Sequence, residues 1–228
     1  YATAERLATE AVELLSQADN DYDAWAALND LMLMQDAQGK TLEANRTREQ
    51  VLSSARKIGA PFPLAVALGN RAMGAHSSGE YELALELGRE ALKYSRQAAS
   101  PLREAISLLR QADVFNDVGL AHQSAELYGQ ALTILAQLDN VEWIRYACLQ
   151  TSVLHRRRGG AGLAHEWLRR AIVLDESKEA PAEVRIQLAA LETQAAPEQA
   201  IETIRGLTKR RTQRLEARDL TLAQYFQA

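Results

Sequence analysis

Four glycines stand at one interval of forty residues, Gly39, Gly79, Gly119 and Gly159, and other columns keep the same step. At ordinary glycine usage, three further matches to a chosen period arise by chance about three times in ten thousand. Five residues after each glycine comes Ala44, Ala84, Ser124 or Ala164. Thirteen after comes Leu52, Leu92, Leu132 or Ile172, preceded by Val51, Ala91, Ala131 or Ala171. Eleven before each glycine sit Leu28, Leu68, Leu108 and Cys148. A period of this length is the mark of a repeat array, in which one supersecondary unit recurs and buries its apolar face only against its neighbours. Run backwards, the register lands on Ala4, Ala11 and Val12, with Tyr1 in the column of Tyr81. The expectation is a chain that opens partway through a repeat of a longer protein.

Each unit reads as two helices. Residues 82–95 place Leu83, Leu87, Ala91 and Tyr94 on one stripe at helical spacing. Pro61, Pro101 and Pro181 keep the forty-residue step and mark helix starts, because proline in a first turn gives up an N–H that has no intrahelical partner. The glycines fall where the first helix ends and reverses, a position that favours a left-handed backbone. The small column at 44, 84, 124 and 164 lets paired helices approach closely. Alanine and leucine dominate while aromatics make up only 6%, which suits packed helices better than strands. The expected fold is all-α, a right-handed superhelical solenoid of antiparallel helix pairs with 11–12 helices. Its units would be a second helix over 1–20, full units over 21–60, 61–100, 101–140 and 141–180, a shortened unit over 181–209 begun by an early Pro197, and a capping or linker helix over 210–228.

Several chemistries find no support. The lone Cys148 rules out a disulfide framework and a cysteine-based zinc site, and its leucine column reads as buried packing. With it goes an expectation of a reducing, cytoplasmic compartment. His76, His122, His155 and His165 form no pair four apart on one helix, so no metal is expected. Gly159-Gly160-Ala161-Gly162 lacks the preceding strand and following lysine of a phosphate cradle. No cofactor and no catalytic residue are assigned. The net charge of −4 is uneven: residues 1–100 carry 10 basic and 14 acidic side chains, residues 101–228 carry 16 of each. Basic residues cluster at 156–158, 169–170 and 205–218, but few aromatics are interleaved and no recognition helix is evident, so direct nucleic-acid binding is not expected. No apolar run is long enough to span a membrane.

The pattern resembles the tetratricopeptide repeat family, most clearly in Gly79-Glu80-Tyr81 with Ala84, Ala91 and Leu92. Gly119 with Tyr128, Ala131 and Leu132, and Gly159 with Ala164, Leu168 and Ala171, carry the same resemblance. The unit is longer than the family's common one, and a proline opening each first helix replaces the usual proline after the second. Longer units of this kind are similar to those of bacterial regulators. The resemblance implies a non-catalytic interaction module whose first helices line a concave groove for a peptide or protein segment. In that register the candidate contacts are Asn29, Leu33 and Asp36; Asn70, Met73 and His76; Leu109, Arg110, Asp113 and Asn116; then Val153 and Arg156. Asparagine suits a peptide backbone, since its amide donates and accepts at once, and arginine suits a carboxylate. Arg103, Arg110 and Arg145 do not complete the family's carboxylate clamp. Two alternatives stay open: a small-molecule sensor in the same groove, and self-association through Leu222, Tyr225 and Phe226.

Overall fold

A computed structural model of the chain describes residues 2–18 and 20–173, with side chains from 5 to 171. The expected shortened unit at 181–209, the segment 210–228 and Pro181 lie outside the described residues. Among those described there are nine α-helices and no strand: α1 (Ala2–Gln17), α2 (Asp21–Ala37), α3 (Thr41–Ile58), α4 (Pro61–Ser77), α5 (Tyr81–Gln97), α6 (Pro101–Asp117), α7 (Ala121–Gln137), α8 (Val141–Arg157) and α9 (Ala161–Val173). The fold is an all-α helical repeat. From α2 onward the even-numbered helices start at 21, 61, 101 and 141, and the odd-numbered ones at 41, 81, 121 and 161. The register reads as one array, whereas the contacts divide the chain into two compact units, 1–134 and 135–228.

The first helices, α2, α4, α6 and α8, start in one of two ways. At α4 and α6 a proline occupies the first turn, after Ala60 and Ser100, whose side chains make no cap. At α2 and α8 the cap is a side chain: Asn20 accepts from the Asp23 N–H at 3.2 Å, and Asn140 from the Trp143 N–H at 3.1 Å.

The helix ends explain the glycine column. Gly39, Gly79, Gly119 and Gly159 have φ of 71°, 78°, 82° and 74°, and a Cβ added at any of them would meet nothing within 4 Å. The requirement is therefore backbone conformation and not space. The bonds are those of a Schellman motif: the Gly79 N–H donates to His76 O at 3.0 Å and the Glu80 N–H to Ala75 O at 2.9 Å. Among the second helices, α3 ends on a left-handed glycine, Gly59 at φ 71°, whereas α5 and α7 reach the left-handed position with other residues. The left-handed position after α5 is Ala99 at φ 48°, and that after α7 is Asp139 at φ 49°. A left-handed alanine costs about 1–2 kcal/mol, and glycine returns roughly half of that to unfolded-chain entropy. Ala99→Gly is expected to stabilise the protein by about 0.5–1 kcal/mol, read as a higher urea midpoint with an unchanged slope; a lower midpoint would contradict the left-handed turn.

Packing follows the columns. Ala44, Ser124 and Ala164 are fully buried and Ala84 is 2% exposed, and the column seven residues on, Val51, Ala91, Ala131 and Ala171, has no exposed surface at all. One cluster joins Trp25, Val51, Leu52, Ala55, Val66, Ala67, Leu68 and Ala91 from α2 to α5, with Leu87 and Tyr94 packed against it. Small residues at these crossings let buried polar side chains bond between helices. Thr47 Oγ1 donates to Gln35 Oε1 at 2.7 Å, and Ser124 Oγ to the Ala112 carbonyl at 2.9 Å. Among the described residues no helix is long and apolar enough to cross a membrane.

Candidate interaction face of the first helices

In unit 1 the first helices α2, α4 and α6 carry a connected row of polar side chains. Asn70 Nδ2 donates to Asn29 Oδ1 at 2.7 Å, and Arg110 Nη1 donates to Asn70 Oδ1 at 3.3 Å. These bonds link residues 41 and 40 positions apart, so the repeat step itself lays one side chain of each first helix beside that of the next. Asn70 is buried, while Asn29 and Arg110 are half-buried. Each asparagine amide thereby has its orientation set by a neighbour. A glycine makes room for the arginine: a Cβ at Gly69 would stand 3.3 Å from Arg110 Nη1.

Beside this row runs the column Leu33, Met73, Asp113. Leu33 is 47% exposed, Met73 is half-buried, and Asp113 accepts from the Tyr128 hydroxyl at 2.5 Å. Toward the helix C-termini His76 Nε2 lies 2.9 Å from Asp117 Oδ2, with the Tyr81 ring 5.9 Å away between centroids.

Several of the expected contacts are buried or engaged within the protein, Asp113 by Tyr128 and Asn70 by its neighbours among them. Leu109 is fully buried, so it is core and offers a ligand no surface; its neighbour Arg110 occupies the accessible phase of the helix, one residue or about 100° round. Asn116 is 7% exposed. Asp36 accepts two bonds from Arg48 Nη2, at 2.6 and 2.5 Å, and Arg48 Nη1 donates to Asn45 at 2.7 Å. The Arg48 side chain is only 6% exposed, which makes this a buried ion pair within the protein. In unit 2, Val153 and Arg156 are both half-buried on α8.

The polar partners Arg48 and Gln111 did not stand out in the sequence, although glycines inside helices were a usable signal. A Cβ at Gly74 would lie 3.1 Å from Arg48 Cδ, and one at Gly88 would lie 2.9 Å from Gln111 Cγ. Gln111 Nε2 in turn donates to the Gly88 carbonyl at 3.2 Å. A mid-helix glycine costs roughly 1 kcal/mol against alanine, and here each one admits a polar side chain from a neighbouring helix. Cys148 is buried, and burial pushes its thiol up to about 11, so it holds the proton that a nucleophile would have to lose. Among the described residues no three His, Cys, Asp or Glu side chains converge as metal ligands.

No family model and no curated protein matches the sequence. Solved structures do match in fold. BtubC of P. vanneervenii is 19% identical over 91% of this chain and 88% of its own, with a TM-score of 0.68. The apo quorum sensor NprR of B. thuringiensis is 12% identical over 95% of this chain and 62% of its own, with a TM-score of 0.67. A signal-transduction ATPase of Pyrococcus horikoshii with a tetratricopeptide repeat sensor is 20% identical over 98% of this chain and 38% of its own, at 0.60. The fold of this chain is that of the tetratricopeptide repeat proteins.

Proposed function

We propose that this chain is a non-catalytic interaction module whose first-helix face docks an extended protein or peptide segment, as part of a larger regulatory or signalling protein. The observation that carries the reading is the Asn29–Asn70–Arg110 row, which spans three successive first helices with Leu33 and Met73 alongside. Such a face is ordered before binding, so the entropic cost of docking falls mainly on the ligand. The half-buried Asn29 amide matches the donors and acceptors of an extended backbone and the Arg110 guanidinium an acidic side chain, while the buried Asn70 holds both in place. The regulatory context is supported by likeness to a quorum sensor and to a signal-transduction ATPase with a repeat sensor.

The test captures partners from native lysate, identifies them by mass spectrometry and re-binds a synthetic peptide from the captured protein. Arg110→Ala and Asn70→Ala are expected to weaken that peptide by about tenfold, near 1.4 kcal/mol. Gly69→Ala is the more selective probe. It replaces a helix-interior glycine with the best helix former, and the Cβ displaces only the flexible tip of Arg110. Binding is expected to fall while thermal stability holds or rises. Equal binding by all variants places the interface elsewhere.

A further inference from the structure

Helix α1 leaves open a face that the other second helices bury. In the column of Ala8 stand Arg48, Gly88, Tyr128 and Leu168, all buried, and in that of Ala11 stand Val51, Ala91, Ala131 and Ala171, none with exposed surface. The column of Leu15 continues as Ala55, Ser95 and Leu135, also fully buried. Ala8, Ala11 and Leu15 themselves are only half-buried. Leu7 and Leu14 share their face, since residues three, four and seven apart stack on one side of a helix. They are 52% and 59% exposed, whereas Leu87 and Tyr94, their counterparts on α5, are half-buried.

The other units show what covers such a face. α4 contributes Leu64, Ala67 and Leu68 to the cluster that takes in Leu87, Ala91 and Tyr94, and Ala75 to the one that takes in Ala84 and Leu87. α2 and α6 meet their second helices with polar groups as well, Asp36 bonding Arg48 and Asp113 bonding Tyr128. Both of those partners stand in the column of Ala8. With alanine there, as α5 has Gly88, the face of α1 asks for no polar partner and matches that of α5. Each covering helix also runs directly into its second helix, through residues 38–40, 78–80, 118–120 and 158–160.

We propose that α1 docks a further first helix of the α4 kind, antiparallel to it, supplied by the same polypeptide ahead of Tyr1 through a turn of the same length. Tyr1 stands in the column of Tyr81, so the register of Gly79, Ala75, Leu68 and Leu64 carries over. It places a glycine two residues ahead of Tyr1, and small or apolar residues six, thirteen and seventeen ahead. A second copy of α1 is a poorer cover. Glu5, Glu10 and Glu13 against Arg6 leave the helix acidic, and two copies face to face would bring like charges together.

The experiment lengthens the full chain with a copy of residues 61–80, so that the copied turn leads into Tyr1 in register. Amide exchange across α1 is expected to slow by about tenfold or more, and the urea midpoint to rise. Leu64→Glu with Leu68→Glu in the added copy alone should cancel both gains. Leu7→Glu should barely move the midpoint of the unextended chain, where the side chain is already exposed, yet it should remove the gain from the extension. Unchanged exchange across α1 in the extended chain overturns the proposal, as do charged residues in the gene at the three positions ahead of Tyr1. A dimer of the unextended chain that Leu7→Glu dissociates, seen by light scattering, would assign the face to a second copy and overturn it too.

Discussion

Asp36→Ala is expected to lower stability by about 2–3 kcal/mol, one of the two largest losses from a single change at the positions singled out here. Asp36 holds both short bonds to Arg48 Nη2, and the arginine has only 6% of its side chain exposed. Removing one partner of a buried pair typically costs about 3–5 kcal/mol, because a charge is left without compensation. Asp36 is itself 28% exposed, so water reaches that end and the loss is discounted to the bottom of that range or just below it. Arg48 has little room to relax. Its Nε is already buried without an acceptor, and the aliphatic part of the side chain lies against Gly74. Replacing the pair together removes the charge from the core. In urea titrations, Arg48→Met in the Asp36→Ala background is expected to recover most of the loss. If Asp36→Ala changes the midpoint by less than about 0.5 kcal/mol, the range of ordinary surface substitutions, the pair is not buried as described.

The same pair shows how far the sequence could be read. The forty-residue period, the left-handed glycines and the small columns were legible because each reports a steric demand of the backbone or of a helix crossing, and few residue types meet it. The left-handed turns at Ala99 and Asp139 were not legible, since the demand there is met by residues that do not announce it. Which first helices stand side by side was legible, and which partners their side chains take was less so. Asn29, Asn70 and Arg110 do adjoin one another. Yet a polar residue in the right column has two possible partners, a ligand or the neighbouring helix, and periodicity does not distinguish them. Asp36 went to Arg48 and Asp113 to Tyr128, long side chains that reach across from the second helices α3 and α7.

Leu109 brings the question of helix phase to a single measurement. Read as a groove residue, it would contribute to a partner and little to folding, and truncation would shift stability by no more than about 0.5 kcal/mol. Its complete burial on α6 leads to the opposite expectation. It sits among Ala105, Ile106, Leu108 and Ala112, all buried on the same helix, in a packed region with little freedom to collapse into a void. Leu109→Ala is therefore expected to cost about 3 kcal/mol, within the 2–5 kcal/mol found for buried leucine truncations. In a domain whose whole stability is of order 5–15 kcal/mol, that loss is visible as a large drop in urea midpoint. Arg110→Ala, one position on and half-buried, should move the midpoint far less. Peptide binding should show the reverse order when it is measured on the folded fraction: nearly unchanged for Leu109→Ala, and weakened for Arg110→Ala. A mild stability effect at 109 together with lost binding would place Leu109 on the face and rotate α6 by about one residue from its described phase.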